Sequence, residues 1–172
     1  KFEAAGCADI IARGEVRNVF FPPTALRMLR AEGASLVGLR SVASGGEPLG
    51  AEMLAWGREA LGVQINEFYG QTECNLVLGN CVDVFAPRPG STGKPVPGHE
   101  VAIIDGAGNV LRAGEVGEIA VRRPDPSMFL EYWLNPEKTA EKFVGDWMLT
   151  GDVATMDEDG YFYFVDRKKQ AL

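Results

Sequence analysis

The sequence predicts an α/β protein: a parallel-strand α/β layer followed by a small, mostly antiparallel, β-barrel-like subdomain. Up to about residue 85, apolar strand-like runs alternate with helical segments. That order calls for parallel strands joined by crossovers. Beyond it the chain turns to short strands separated by turn sequences, the pattern of a small barrel or sandwich. Length and composition fit both halves. The 172 residues suit one domain or two small subdomains, and 46% hydrophobic residues suffice for a real core. The expected division is an α/β subdomain over 1–85, a linker over 86–99, a β-rich subdomain over 100–165 and a terminal hinge segment over 166–172.

The elements follow in order. Residues 1–13 carry Phe2, Ala5, Ile10 and Ile11 at weakly helical spacing. Val16–Phe21 reads as a buried strand. Pro22-Pro23-Thr24 opens a helix with Leu26, Met28 and Leu29 near one face, proline being tolerated in a first turn. Leu39–Ala43 is a second strand, Leu49–Leu61 a helix and Val63–Phe68 a third strand. Ala86–Gly98 is rich in proline and glycine and reads as a loop. Val101–Ile104 and Glu118–Arg122 are strands, the first leading into a turn at 105–109. Asn135-Pro136-Glu137 starts a short helix through Phe143. Trp147–Thr150 and Val153–Met156 read as two brief strands, and Tyr161–Val165 as another. Met148 and Phe162 are expected in the core.

Charge and cysteine usage exclude several classes of function. Acidic residues number 24 and basic ones 17, giving a net charge of −7. A nucleic-acid binder would usually show a basic face. Nucleotides are not excluded, because backbone N–H groups and metal can hold their phosphates. No apolar run approaches the roughly 20 residues that span a bilayer. The first residues lack a signal-peptide core. Three cysteines, Cys7, Cys74 and Cys81, form no CxxC, and His99 is the only histidine. A disulfide framework or zinc site is not expected, and a reducing cytoplasm is.

Two loops follow strands in the first half. Ser44-Gly45-Gly46-Glu47-Pro48 comes after Leu39–Ala43, and Tyr69-Gly70-Gln71-Thr72-Glu73 after Val63–Phe68. Ligands of open parallel sheets bind outside the carboxyl ends of the strands. Glycines let main chain approach a ligand closely. The second loop adds an aromatic face, a hydroxyl and a carboxylate, a set suited to adenine, phosphate and Mg²⁺. Two ordinary strand-to-helix turns are the plain alternative. Thr150-Gly151-Asp152 places a carboxylate at a strand end, where it could accept from two vicinal ribose hydroxyls; a turn-forming Asp is the alternative. Asp166-Arg167-Lys168-Lys169 reads either as a ribose or phosphate contact or as a solvated chain end.

Other motifs fail. Gly90-Ser91-Thr92-Gly93-Lys94 is not a phosphate loop, since Arg88 and Pro95 stand where glycine and Ser/Thr are needed. With a single histidine there is no His-based nucleophile–base triad. His99 reads as a loop or strand-entry residue, and Cys74 as packing.

Taken in order, Ser44-Gly45-Gly46-Glu47-Pro48-Leu49, Phe68-Tyr69-Gly70-Gln71-Thr72-Glu73, Gly93–Gly98, Gly114–Ile119, Thr150-Gly151-Asp152 and Gly160–Lys169 resemble the adenylate-forming, or AMP-binding, superfamily. The likeness is greatest to short- and medium-chain acyl-CoA synthetases and covers essentially the whole chain. It implies a two-step ligase: ATP and a carboxylic acid give an acyl-adenylate, and coenzyme A then displaces AMP. It further implies that Gly45, Gly46, Glu47 and Pro48 line adenine and ribose and that Tyr69 lies against adenine. Thr72 would contact the α-phosphate, and Glu73 would hold Mg²⁺. Asp152 and Arg167 would bind the ribose hydroxyls, and Lys169 would match a hinge.

Dedicated acetyl-CoA synthetases carry tryptophan at the position of Gly70, so glycine there implies room for a longer acyl group. The superfamily's Ser/Thr/Gly-rich phosphate loop and its small C-terminal lysine domain have no counterpart here. The sequence therefore reads as a segment of a longer synthetase, inactive by itself, and Gln170-Ala171-Leu172 departs from the usual acidic continuation. Two other readings stand beside this one: an adenylate-forming enzyme with a different acyl acceptor, and a non-catalytic nucleotide-binding module.

Overall fold

A computed structural model describes residues 2–167. The chain divides into two compact units, residues 1–68 with 80–90, and residues 69–79 with 91–172.

In the first unit, helices α1 (Ala4–Arg13), α2 (Pro23–Ala31) and α3 (Ala51–Trp56) alternate with strands β1 (Asn18–Phe20), β2 (Ser41–Gly45) and β3 (Ile65–Gln71). The last three residues of β3 belong to the second unit. As expected, the strands are parallel: Asn18 faces Ser41, Val42 faces Ile65 and Gly45 faces Phe68. Pro23 sits in the first turn of α2, whose Leu26 and Leu29 are fully buried. With Val42, Ile65 and Ile11 they form one apolar core. Each such side chain contributes about 1.5–3 kcal/mol on burial. The predicted third helix is shorter than expected. It passes at Gly57 into a π turn (Gly57–Leu61) that ends on Gly62, at φ 69°. A side chain at Gly57 would strike Ile65 at 2.7 Å, so glycine lets this turn close on β3.

The second unit continues from β3 through a turn at 72–74 into β4 (Asn75–Gly79), a strand the sequence reading did not separate. Strand β5 (Lys94–Pro95), inside the stretch read as a linker, pairs antiparallel with β4. A curled antiparallel half-barrel sheet follows, in the order β10 (Phe162–Arg167), β9 (Trp147–Met156), β7 (Gly117–Arg122), β6 (Val101–Ile104). Strand β8 (Phe143–Val144) joins β9, and helix α4 (Pro136–Glu141) precedes it. Asn135 caps α4 by accepting from Lys138 N. The core holds Phe162, Met148, Ile119, Val121, Val77 and Cys74, all fully buried. Met148 and Phe162 thus lie where the sequence places them.

The two strands predicted around Gly151 are one continuous strand, β9. Burial alternates without interruption through Met148, Thr150, Asp152 and Ala154. Gly151 takes φ 81°, and the pairing with β7 shifts register between Glu118 and Ala120. This irregularity absorbs what the sequence suggested was a break. No helix among the described residues is long and apolar enough to cross a membrane.

Candidate functional site

The richest polar cluster lies in the second unit, where the end of β3 meets β9. Asp152 is 5% exposed. Its Oδ2 accepts from the Tyr69 phenol at 2.6 Å and from Gln71 Nε2 at 2.6 Å. The same amide donates to the Thr150 carbonyl at 2.8 Å. Arg167 Nε stands 3.5 Å from Asp152 Oδ1, on an exposed side chain. Strand pairing puts it there, since Arg167 and Asp152 are register partners. The backbone beneath is fixed from below. Glu118, itself buried, accepts from Gly151 N at 2.7 Å, and Thr150 Oγ1 donates to the Ile119 carbonyl at 2.7 Å. Burial, reinforced by the bond to Asp152, pushes the Tyr69 phenol well above its ordinary pKa, so it remains a donor. The cluster thus presents a buried, hydrogen-bonded carboxylate beside a guanidinium, able to accept from hydroxyls of a bound ligand.

Tyr69, Asp152 and Arg167, chosen from sequence, are brought together here. Gln71 is not among those choices, although it makes two of the bonds. Its signal was available: as the second residue after Tyr69 on an extended strand it shares that residue's face. The strand runs to Gln71, so the motif is a strand end followed by a turn into β4, not a strand-to-helix turn.

Beyond the strand, Thr72 is exposed and Glu73 half-buried. Tyr132 donates its phenol to Glu73 Oε1 at 2.6 Å. That bond, above all, holds the Glu73 carboxyl below its ordinary pKa, against the opposing effect of burial. The turn's backbone is also gripped: Phe129 N donates to the Glu73 carbonyl at 2.7 Å, and Ser127 Oγ to the Cys74 carbonyl at 2.7 Å. Ser127 is held by Asp125, whose Oδ2 lies 2.6 Å from His99 Nδ1. Burial raises the Asp125 pKa, but the bonds from His99 and Ser127 outweigh it and the net shift is downward. His99, read as a loop residue, is therefore the partner of a buried carboxylate. Cys74 is fully buried, and burial pushes its thiol up to about 11, which fits packing and not reactivity.

Gly70 has a local reason of its own. A Cβ built there would lie 1.8 Å from the Asn75 carbonyl oxygen. Main chain fills the space in which the sequence reading saw room for an acyl group. At this position on β3, just before the turn, it is the close approach of the Asn75 main chain that favours glycine.

In the first unit, Ser44 and Gly45 end β2, and Gly46 takes φ 97°. A Cβ at Gly45 would meet the Phe68 ring at 2.7 Å. The Ser44 hydroxyl is fully buried, without a hydrogen-bond partner among the described residues. Glu47 accepts from Thr24 Oγ1 and from Arg27, both at 3.2 Å, and Arg27 also reaches the Pro48 carbonyl. Glu67 Oε1 accepts from Leu49 N at 3.0 Å. Burial raises the Glu67 pKa, that bond opposing it only in part. The hinge position, Lys169, lies outside the described residues.

A cation site can be tested on the donor chemistry. No group of three or more His, Cys, Asp or Glu side chains is poised to hold a metal among the described residues. Mg²⁺ does not need one, because it is usually held by one or two carboxylates together with substrate phosphates. A single carboxylate kept ionised, as Glu73 is, fits that mode.

Comparison with known proteins places these residues in context. The family of AMP-binding enzymes matches residues 1–133. An uncharacterized acyl-CoA ligase of Bacillus subtilis, YtcI, is 38% identical over the whole chain, which covers 33% of that protein. The acetyl-coenzyme A synthetase of the same organism is 41% identical over 87% of the chain, covering 28% of its own length. The solved structure of the amide bond synthetase McbA from Marinactinospora thermotolerans superposes with a TM-score of 0.86 at 34% identity, covering 98% of this chain and 35% of that one. The chain thus spans about a third of the length of the curated relatives it matches.

Proposed function

Because this chain belongs to the AMP-binding enzyme family, we propose that it is part of an AMP-forming acyl-CoA synthetase acting in the cytoplasm on short- to medium-chain carboxylic acids. In the first half-reaction a substrate carboxylate oxygen attacks the α-phosphorus of ATP, the bond to pyrophosphate breaks, and an acyl-adenylate forms. In the second, the thiol of coenzyme A loses its proton, attacks the acyl carbon and expels AMP.

The observation that carries the reading is the Tyr69–Gln71–Asp152–Arg167 cluster in a chain of this family. Asp152 accepts the ribose hydroxyls, with Arg167 beside it. Tyr69 offers its ring to the base while its hydroxyl stays on Asp152. Thr72, exposed on the turn, donates to the α-phosphate. Glu73 holds Mg²⁺, which when bound would neutralise charge on the phosphates.

The test is exchange of labelled pyrophosphate into ATP, dependent on a carboxylic acid, by the intact protein. Acids from acetate to octanoate report the chain length, and formation of thioester from coenzyme A reports the acceptor. Exchange that needs no acid, or none at all, contradicts the reading. The structural likeness to an amide bond synthetase favours one alternative, an enzyme of the same first step whose acyl acceptor is an amine. Adenylation without thioester formation, together with amide formation from an added amine, identifies that case.

A further inference from the structure

Resting on the adenylation reading, we infer that Tyr132 is a positioning residue for Glu73, fixing one carboxylate oxygen so that the other is presented to the nucleotide-bound cation. The two residues are 59 apart in sequence and meet through a 2.6 Å hydrogen bond. A carboxylate free to rotate offers either oxygen at many angles. With Oε1 accepting a phenol O–H, rotation is stopped and Oε2 remains for a hard cation. A ligating carboxylate that is itself hydrogen-bonded is the usual way in which a metal site is tuned from outside its ligand set.

What makes this more than a chance contact is how firmly Tyr132 is held. Its backbone N–H donates to Thr139 Oγ1 at 2.9 Å. That hydroxyl in turn donates to the Asn135 carbonyl at 3.0 Å, at the N-terminal end of α4. The Tyr132 ring packs against Phe129, centroids 4.9 Å apart, and Phe129 stacks on Phe143 at 6.1 Å. The same segment reaches the Glu73 main chain, through the bond from Phe129 N to the Glu73 carbonyl. Side chain and backbone of Glu73 are thus fixed by one segment, residues 129–132, which α4 anchors through Thr139. The neighbouring Leu130, Trp133 and Leu134 point outward and are more than four-fifths exposed. Of this run of large side chains, Phe129 and Tyr132 turn inward, and Tyr132 meets the carboxylate.

The experiment compares the intact wild type with Tyr132→Phe, Glu73→Gln and Thr139→Val. Mn²⁺ stands in for Mg²⁺, and its free concentration is read by electron paramagnetic resonance in the presence of ATP. Calorimetry with AMP in metal-free buffer is the control. Tyr132→Phe keeps the ring and loses only the hydroxyl. It is expected to weaken Mn²⁺ binding to the ATP complex about tenfold, within the range of hydrogen-bond partners lying outside a metal's ligand set. AMP affinity without metal should stay within about twofold of wild type. Thr139→Val, which moves the tyrosine without deleting it, should shift Mn²⁺ binding in the same direction by less. It also serves where Tyr132→Phe does not fold.

Wild-type Mn²⁺ binding in Tyr132→Phe, or an equal loss of metal-free AMP affinity, overturns the inference. Failure of the underlying reading shows separately, as a wild type without acid-dependent pyrophosphate exchange, while the Mn²⁺ comparison still judges the link between Tyr132 and Glu73.

Discussion

At Asp152 a charged side chain that is almost never buried alone is kept below the surface by two short hydrogen bonds on one oxygen. Removing it should act on the nucleotide, whatever its phosphate count. Asp152→Ala is expected to weaken AMP and ATP alike, roughly tenfold or more, since a charge-assisted bond contributes about 1.5–3 kcal/mol. Glu73→Gln should leave metal-free AMP binding near wild type and impair the Mg²⁺-dependent step. Calorimetry with both nucleotides, with and without Mg²⁺, separates the two roles; equal losses of metal-free AMP affinity would contradict them. Gly70 gives a different kind of prediction. The Asn75 carbonyl oxygen lies 1.8 Å from where a Cβ would stand. Gly70→Ala should therefore cost about 1–3 kcal/mol by forcing the turn apart, read as a lowered denaturation midpoint.

Among the elements, β9 shows where sequence reading reaches its limit. Thr150 and Asp152 alternate correctly on one buried face, yet Gly151 between them looked like a strand break. A register shift against β7 accommodates its φ of 81° without ending the strand. Such compensation by a neighbouring strand leaves no local mark in sequence. Gly151→Ala should destabilise by about 1 kcal/mol or more, as expected for a side chain forced to positive φ, and perturb Asp152 with it; an unchanged midpoint would count against the strain. The parallel order of β1, β2 and β3 was legible because apolar strands and amphipathic helices alternate there. Strand β5 was not, because Lys94–Pro95 reads as loop and gains its pairing only from β4. Gln71 and Tyr132 escaped notice for a related reason. The partner of Gln71 lies 81 positions away and that of Tyr132 59 away; strand alternation after Tyr69 offered a local hint for Gln71, whereas Tyr132 meets the turn residue Glu73 only through the folded loop before α4.

At the scale of the whole molecule, carboxylates of the two units respond to acid in opposite senses. In the second unit, Glu73 and Asp125 are held below their ordinary values, by Tyr132 for Glu73 and, against burial, by His99 and Ser127 for Asp125. A depressed folded pKa contributes stability that is present above the unfolded value, about 4, and is lost as pH falls through the folded value. In the first unit Glu67 is raised by burial, with Leu49 N opposing only in part. A raised folded pKa contributes stability that is complete below the unfolded value and disappears as pH rises through the folded one. At neutral pH the Glu67 charge therefore works against folding. Glu67→Gln keeps an amide oxygen for Leu49 N and removes the charge. It should raise the denaturation midpoint at pH 7, with the gain shrinking as pH falls below the raised pKa. Asp125→Asn should do the reverse, lowering the midpoint at pH 7, with the loss shrinking as pH falls below about 4. Urea titrations of both variants and the wild type from pH 3 to pH 8 check the pair. Two difference curves of the same sign at pH 7 would refute the assignment, because desolvation and hydrogen bonding would then not be dividing these carboxylates as the geometry indicates.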